Sequence, residues 1–447
     1  MVNSMQNLKY ITFVPFANFN LWDTKRYTSK LISSTFPIVS LDNCIVEQNK
    51  KYKIFEDLET DFGILGVNNK EGIFDAYTQK GKEINQPYKK METGWLAYNP
   101  YRINVGSIGI KLKEHKNEYI SPAYVVFSCN ENLLPEFLFF LFKTSVFNTV
   151  INESTTGSVR QNLTFETLKG LQIPLPSIEE QNKIVTSYNA KLQLAQQQEE
   201  QAKTLETEIE KYLFKELCIR INTNKGIKKG LHTINYSSVE KWSLDDIFKK
   251  NVIISDKYNL VNLNSVCSLI TDGTHQTPKY FDKGIVFLSA KNVTKEVIDW
   301  ENIKYVSKEA HIEYTKRVKP EVGDILLAKN GTTGVGAIVD IEKDFSIYVS
   351  LALLKPIKSL INPLYLLFII NSEIARTQFF SRLIGIGVPN LHLGEIKEVI
   401  IPLPPLEIQT KIINTINSIK AQINELNVLS AKNKEEAIVE FEKEIFI

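Results

Sequence analysis

The sequence predicts an α+β fold: two strand-rich α/β domains separated by two long antiparallel coiled-coil helices, the whole a pseudo-twofold tandem repeat. Three observations predict it. First, IPLPSIEEQNKIV at residues 173–185 returns as IPLPPLEIQTKII at residues 401–413, 228 positions later. That register holds without a gap through Pro135/Pro363, Phe140/Phe368, Gly157/Gly385, Asn162/Asn390, Lys169/Lys397, Gln181/Gln409 and Ile184/Ile412, which marks a duplication. Upstream, Tyr119, Ser121 and Ala123 match Tyr348, Ser350 and Ala352 at offset 229, and residues 37–41 match 259–263 at offset 222. Second, the region before each IPLP segment is broken into short apolar runs. Third, each IPLP segment is followed by a long polar stretch with an apolar seam.

In the first half, residues 36–45, 62–67, 94–98, 106–112 and 123–128 are apolar runs bounded by Asn, Gly and Pro, the pattern of short strands. The second half repeats the pattern at 260–267, 284–289, 324–328, 336–339 and 348–354. Residues 135–150 and 363–383 then switch to helical spacing. Each opens on a proline, which suits a first helical turn because its missing N–H is not needed there.

After the IPLP segments, Tyr188, Ala195, Ala202, Leu205, Ile209 and Tyr212 fall at steps of three, four or seven, as do Ile412, Ile416, Ile419, Ile423, Leu426, Ser430 and Ala437. A helix over residues 178–221 would run roughly 65 Å at ~1.5 Å per residue. Two arrangements fit: a two-helix hairpin packed on a core, or a spacer whose seams face each other. Repetition and length favour the spacer, and an intervening globule makes an antiparallel pair the simplest connection. The division is a first domain at 1–175, a first helix at 176–222, a linker at 223–235, a second domain at 236–403 and a second helix at 404–447.

The 447 residues allow two to four domains, and 43% hydrophobic with 23% charged residues is ordinary for a soluble globular protein. No apolar run approaches the ~18 residues of a bilayer span, and MVNSMQNLKY lacks the layout of a secretion signal, so a cytoplasmic location without membrane attachment is expected. Cys44, Cys129, Cys218 and Cys267 are isolated, the pattern of reduced structural thiols. A net charge of +2 neither requires nor excludes a polyanionic partner.

Catalytic signatures are weak. Asn99-Pro100-Tyr101 is half of the Asn-Pro-Pro-Tyr motif of adenine methyltransferases, and Gly106-Ser107-Ile108-Gly109 sits in strand-rich sequence instead of the strand-to-helix turn a nucleoside cofactor needs. Glu301-Asn302-Ile303-Lys304 has a nuclease-like spacing that charged chains produce by chance. His115, His232, His275, His311 and His392 are dispersed, without the spacing of a metal site or triad.

The duplicated signature Pro-Leu-Pro-x-x-Glu-x-Gln stands as Pro174, Pro176, Glu179 and Gln181, and again as Pro402, Pro404, Glu407 and Gln409. With it, the chain resembles the specificity (S) subunit of type I restriction-modification systems over essentially its whole length. Residues 96–110, 271–280, 322–339 and 387–404 share the likeness, whereas the lead through residues 19–27 departs from the best-known members. Physically, the prolines fix an extended approach, and Glu179 or Glu407 falls in the first helical turn, where the helix dipole favours it.

The resemblance implies two target recognition domains and a non-catalytic, sequence-specific DNA-binding subunit for a bipartite asymmetric site. Two methyltransferase subunits would dock on the helices, with two motor/nuclease subunits joining through them. S-adenosylmethionine, ATP and Mg would belong to those partners and no cofactor to this chain. Two other readings stand beside it: a specificity module of another methylation-based defence system, and a coiled-coil scaffold with ligand-binding heads.

Polar loops are the DNA-binding candidates. Tyr101, Arg102, Asn104 and Ser107 in the first domain, and Thr274, His275, Gln276, Thr277, Lys279 and Tyr280 in the second, offer donors and acceptors suited to base edges. Lys291, Asn292, Lys329, Asn330, Thr332 and Thr333 extend the set, with Lys111, Lys113 and Arg160 suited to phosphate. Gly331 and Gly334 read as turn formers.

Overall fold

A computed structural model describes residues 32–154, 162–222, 233, 252–383 and 390–447. The chain divides into two compact units: residues 1–199 with 427–447, and residues 200–426. The two long helices, Ile178–Glu216 and Leu406–Ile445, each contribute to both units.

The first unit is framed by two small antiparallel sheets. Ile38–Ser40 pairs with Gln172–Pro174, Ile38 facing Pro174. A four-stranded sheet follows in the order Ile45–Glu47, Val125–Cys129, Leu96–Tyr98, Ile108–Ile110. The second unit repeats the frame. Leu260–Asn262 pairs with Ile400–Pro402, Leu260 facing Pro402, and Cys267–Asp272, Leu351–Pro356, Ile325–Ala328 and Gly336–Ile338 form the matching sheet in the same order. The facing residues Ile38/Pro174 and Leu260/Pro402 are related by the offsets 222 and 228 seen in the sequence.

The halves part company in a further sheet. In the first unit it has five strands, ordered Lys51–Tyr52, Tyr88–Lys90, Tyr119–Ile120, Asp61–Asn68, Gly72–Lys80. In the second it has three, ordered Lys304–Val306, Ile285–Leu288, Phe345–Ile347. One device is shared: the strand before the Ser121/Ser350 pair enters by parallel pairing, Ile64 with Tyr119 and Val286 with Phe345.

Several elements differ from the sequence expectation. The runs at 36–45 and 260–267 are each interrupted by a helical turn, Leu41–Asn43 and Leu263–Val266. The cause is the same in both: Leu41 and Leu263 are fully buried, and their N–H groups donate to the Leu171 and Val399 carbonyls, which turns the chain. The helical regions at 135–150 and 363–383 are each two helices, Pro135–Leu141 then Ser145–Ser154, and Pro363–Asn371 then Glu373–Ser381. The breaks fall at buried hydroxyls that bond back to the preceding turn, Thr144 Oγ1 to the Leu141 carbonyl and Ser372 Oγ to the Ile369 carbonyl, both at 2.7 Å.

The first long helix ends at Glu216, short of residue 221, because Ile219 and Ile221 alternate with polar neighbours and pair as a strand with Val252–Ser255. Cys218, at φ 48°, makes the turn between helix and strand. Asn222, the last residue before the expected linker, ends that strand, and residues 223–232 and 234–235 of the linker lie outside the described residues.

Within each unit the helix segments run antiparallel. In the first, Tyr188 packs with Phe140 and Phe441, Phe441 in turn meets Phe137, and Ala437, Phe441 and Ile445 enter the core. In the second, Leu213 and Leu217 enter the core beside Ile412 and Ile416, with Ile209 against it. Ile209, Leu213 and Leu217 are the 228-offset counterparts of Ala437, Phe441 and Ile445, so the repeat persists to the helix ends. Each incoming helix also brings a carboxylate to a short helix start: Glu442 accepts from the Ser145 N–H, and Glu210 from the Glu373 N–H at 3.2 Å. Every seam position named above is buried or half-buried, while most of the intervening positions are exposed.

All four cysteines are free thiols. Burial pushes the Cys129 and Cys267 thiols up to about 12, which makes them poor nucleophiles. Among the described residues, no helix is long and apolar enough to cross a membrane, and no three His, Cys, Asp or Glu side chains converge as a metal site.

Candidate nucleic-acid interface

The duplicated signature is a structural joint. Ser177 starts the first long helix with its side chain, accepting from the Glu180 N–H, and Glu180 returns the bond to the Ser177 N–H at 2.9 Å. Glu179 and Glu407 lie in the first turns, as the dipole favours. Gln181, fully buried, accepts from the Leu134 N–H at 2.8 Å and donates to the Asn132 and Pro176 carbonyls at 2.9 Å. Gln409 repeats this with the Asn362 N–H at 2.7 Å and the Leu360 and Pro404 carbonyls at 3.1 and 2.8 Å. Each glutamine thus ties the start of a long helix, its proline approach and the start of a short helix into one bonded corner. Pro174 and Pro402 close the paired strands beside it.

In the first unit, residues 99–107 connect two paired strands. The loop is shaped by Asn99, whose side chain accepts from the Tyr101 N–H at 3.0 Å, and it leaves Tyr101 57% exposed with Arg102 and Lys113 also at the surface. Asn104 is half-buried. Beside the loop lies a cavity of about 420 Å³ whose walls include Asn99, Tyr101, Phe74, Tyr77, Ser121 and Tyr124. Aromatic faces next to amide and hydroxyl groups are suited to the flat face and polar edge of a base.

Two residues of the expected set turn inward here. Ser107 is 4% exposed and donates to the Val67 carbonyl at 3.2 Å. Lys111 is 6% exposed and donates to the Met91 carbonyl at 2.8 Å, and burial draws its ammonium below the usual lysine range. Both are occupied in joining the loop to the strands beneath it, which takes Lys111 out of reach of a phosphate. Arg160 lies outside the described residues.

In the second unit, residues 273–281 leave the frame strand that ends at Asp272. Gly273 is required there, since a Cβ would stand 1.9 Å from the Ile347 carbonyl oxygen. Thr274 is half-buried: its N–H donates to that carbonyl at 3.0 Å and its Oγ1 accepts from the Gln276 N–H at 3.2 Å. His275, Gln276, Thr277, Lys279 and Tyr280 are exposed. Tyr280 lies edge-on to Phe287 and under the Lys304 ammonium, 4.0 Å from the ring centroid.

The neighbouring loop at residues 329–334 turns on Gly331 and Gly334, at φ 71° and 85°. Lys291 and Thr332 are exposed, Asn330 and Thr333 half-buried, and Thr332 Oγ1 donates to the Val293 carbonyl at 2.9 Å. Asn292 and Lys329, expected at the surface, are 5% exposed. Asn292 accepts from the Ser289 N–H and donates to the Asn302 carbonyl, both at 3.0 Å, so its amide holds a turn together.

Lys329 belongs to a centre that sequence reading missed. Its ammonium lies 2.7 Å from Asp272 Oδ2, while Asp272 Oδ1 receives Arg317 Nη2 at 2.7 Å and faces His275 Nε2 at 3.3 Å. Burial pushes the Asp272 carboxyl up, but the Lys329 hydrogen bond and charge, then His275, more than offset it and hold the group below the usual carboxylate range. One ionised carboxylate therefore anchors three segments: its own loop, the 329–334 loop, and the chain after the helix Lys308–Thr315. Two cations face one anion, and the surplus positive charge reaches the surface on Arg317. The available signal was Asp272 in front of Gly273; the distance of Arg317 along the chain concealed the rest.

A family profile described as the type I restriction modification DNA specificity domain matches residues 69–211 and again 236–434. The MjaVIII type I restriction enzyme specificity subunit of Methanocaldococcus jannaschii is 22% identical over 317 residues, 69% of this chain and 68% of that protein. The EcoBI specificity subunit of Escherichia coli is 22% identical over 305 residues, 66% of this chain and 62% of that protein. A solved structure described as the structural basis underlying complex assembly and conformational transition of the type I R-M system holds a chain of the same fold. It is 19% identical with a TM-score of 0.57, covering 92% of this chain and 97% of its own.

Proposed function

The chain belongs to the type I restriction modification DNA specificity family as a non-catalytic sequence-specificity subunit, and we propose that it reads a split, asymmetric DNA site with one globular domain per half-site. The observation that carries this is the pairing of a duplicated frame with unlike additions. The frame sheets share strand order and register, while the added sheets have five strands in one unit and three in the other. One scaffold bearing two different surfaces suits two different half-sites.

The recognition domains correspond to residues 1–175 and 236–403, the helices to 176–222 and 404–447, with 223–235 as linker. The first reader uses Tyr101, Arg102 and Asn104, with Lys113 and Arg160 at phosphates. The second uses the exposed face of residues 274–280 with Lys291, Asn330, Thr332 and Thr333. Phosphate contacts give salt-dependent affinity, and base-edge contacts worth ~1–3 kcal/mol per good bidentate pair give discrimination. The paired helices hold the half-sites about one helical turn, ~34 Å, apart. They also dock two methyltransferase subunits, which bring S-adenosylmethionine, and motor/nuclease subunits, which bring ATP and Mg, join through them.

The test is a map of methylated adenines in the source genome with and without this chain. A bipartite motif that disappears with the chain is expected. A motif that persists unchanged would overturn the reading.

A further inference from the structure

We propose that Arg317 reads a guanine in the half-site of the second domain, and that Asp272 is its positioning residue. This rests on the second domain being a DNA reader. Among the described residues of 252–402, Arg382 reaches Glu395 and the Gln378 carbonyl, and Arg376 lies over the Phe380 ring. Arg317 differs in being held by a buried carboxylate while its own side chain stays 52% exposed against 4% for Asp272.

The geometry favours a base over a phosphate. The pair with Asp272 uses one guanidinium nitrogen, Nη2, so the carboxylate occupies one of the five N–H donors of a planar fork. A phosphate contact draws on net charge and is largely indifferent to the plane of the fork. Bidentate contact with the O6 and N7 of guanine depends on the plane and direction of the fork, which the bond from Nη2 to the carboxylate restrains before DNA arrives. Lys329 keeps that carboxylate charged and in place, since it is paired through the other oxygen and is itself buried. Arg317 also stands beside the loop already assigned to reading: His275 shares Asp272 Oδ1 with it, and Tyr314, on the helix before it, packs against Phe287 with Tyr280.

The experiment expresses the full chain with its methyltransferase subunits and maps methylated motifs for wild type, Arg317→Ala, Arg317→Lys and Lys316→Ala. Lys316 is a neighbouring exposed cation paired with Glu313 and serves as the control. Arg317→Ala is expected to relax one guanine position, in the second domain's half only, by about tenfold or more. Arg317→Lys is expected not to restore it, because an ammonium lacks the fork, and Lys316→Ala to leave the motif intact. Asp272→Asn should relax the same position.

An Arg317→Ala motif identical to wild type would overturn the proposal. So would an unchanged motif with uniformly weaker binding and a salt slope lower by about one, which would place Arg317 on a phosphate. If Arg317→Ala yields no methylation, Arg317→Gln is mapped, and an intact guanine position there overturns it too. A wild-type motif lacking a second half would instead sink the two-reader function on which this rests.

Discussion

Tyr188 of the first long helix and Phe441 of the second meet edge to face, with ring centroids 5.7 Å apart. Phe137 and Phe140 close the same cluster, so the far end of the second helix is part of the first unit's core. The counterpart in the second unit is Leu213, equally buried among Ile412 and Ile416. Phe441→Ala should therefore destabilise the first unit by ~3–5 kcal/mol, as loss of a buried aromatic does. Hydrogen exchange of residues 125–141 would report it as faster opening; unchanged protection there would contradict the packing.

The signature glutamines are corners of the fold. Gln181→Ala should leave the Leu134 N–H and two carbonyls without their partner, at ~1–3 kcal/mol for each group that stays unsatisfied, and Gln409→Ala should do the same in the second unit. Chemical denaturation of each variant measures the loss. A loss below about 0.5 kcal/mol in both would show that the signature is kept for another purpose.

Asp272 predicts a pH dependence. Its folded-state value is depressed, so it contributes stability above the unfolded carboxylate value of ~3.9 and loses it as pH falls through the folded value. Asp272→Asn should cost ~3–5 kcal/mol at neutral pH by stranding the buried Lys329 charge. The gap between wild type and variant should hold from about pH 5 to 8 and narrow below about 4. Thermal unfolding across that range checks it, and a gap that widens in acid would reverse the sign.

Removal of seven residues from within 193–205 deletes a heptad from one helix of the proposed spacer. The interval between the two methylated halves should change, or methylation should cease. An unaltered interval would contradict a measuring role for the helices.

The repeat made the frame legible. Offsets of 222 and 228 showed which segments of the two halves correspond, though not which strands pair, and the apolar spacing identified the seam from Tyr188 to Tyr212 and from Ile412 to Ala437. The added sheets were harder. Gly72–Lys80 reads GIFDAYTQK and is buried mainly at its start, so it lacks the alternation that betrays a strand, and strands of two or three residues such as Lys51–Tyr52 are too short to show any period. The breaks at Thr144 and Ser372 were hidden because the apolar spacing continues through them.

Site residues were legible as loops but not as directions. Lys329 and Tyr280 look alike as polar loop positions; only topology brings Asp272 beneath one of them and leaves the other in solvent. The same holds for Arg317, whose partner lies 45 positions away in sequence. Buried ion pairs of this range carry no local pattern.

The most direct measurement exchanges residues 36–162 for the corresponding region of a relative with a different methylated motif, followed by a genome-wide map of methylated adenines. Two independent readers on one duplicated frame predict that one half of the motif becomes the donor's while the other half is retained. A change in both halves, or in neither, would contradict it.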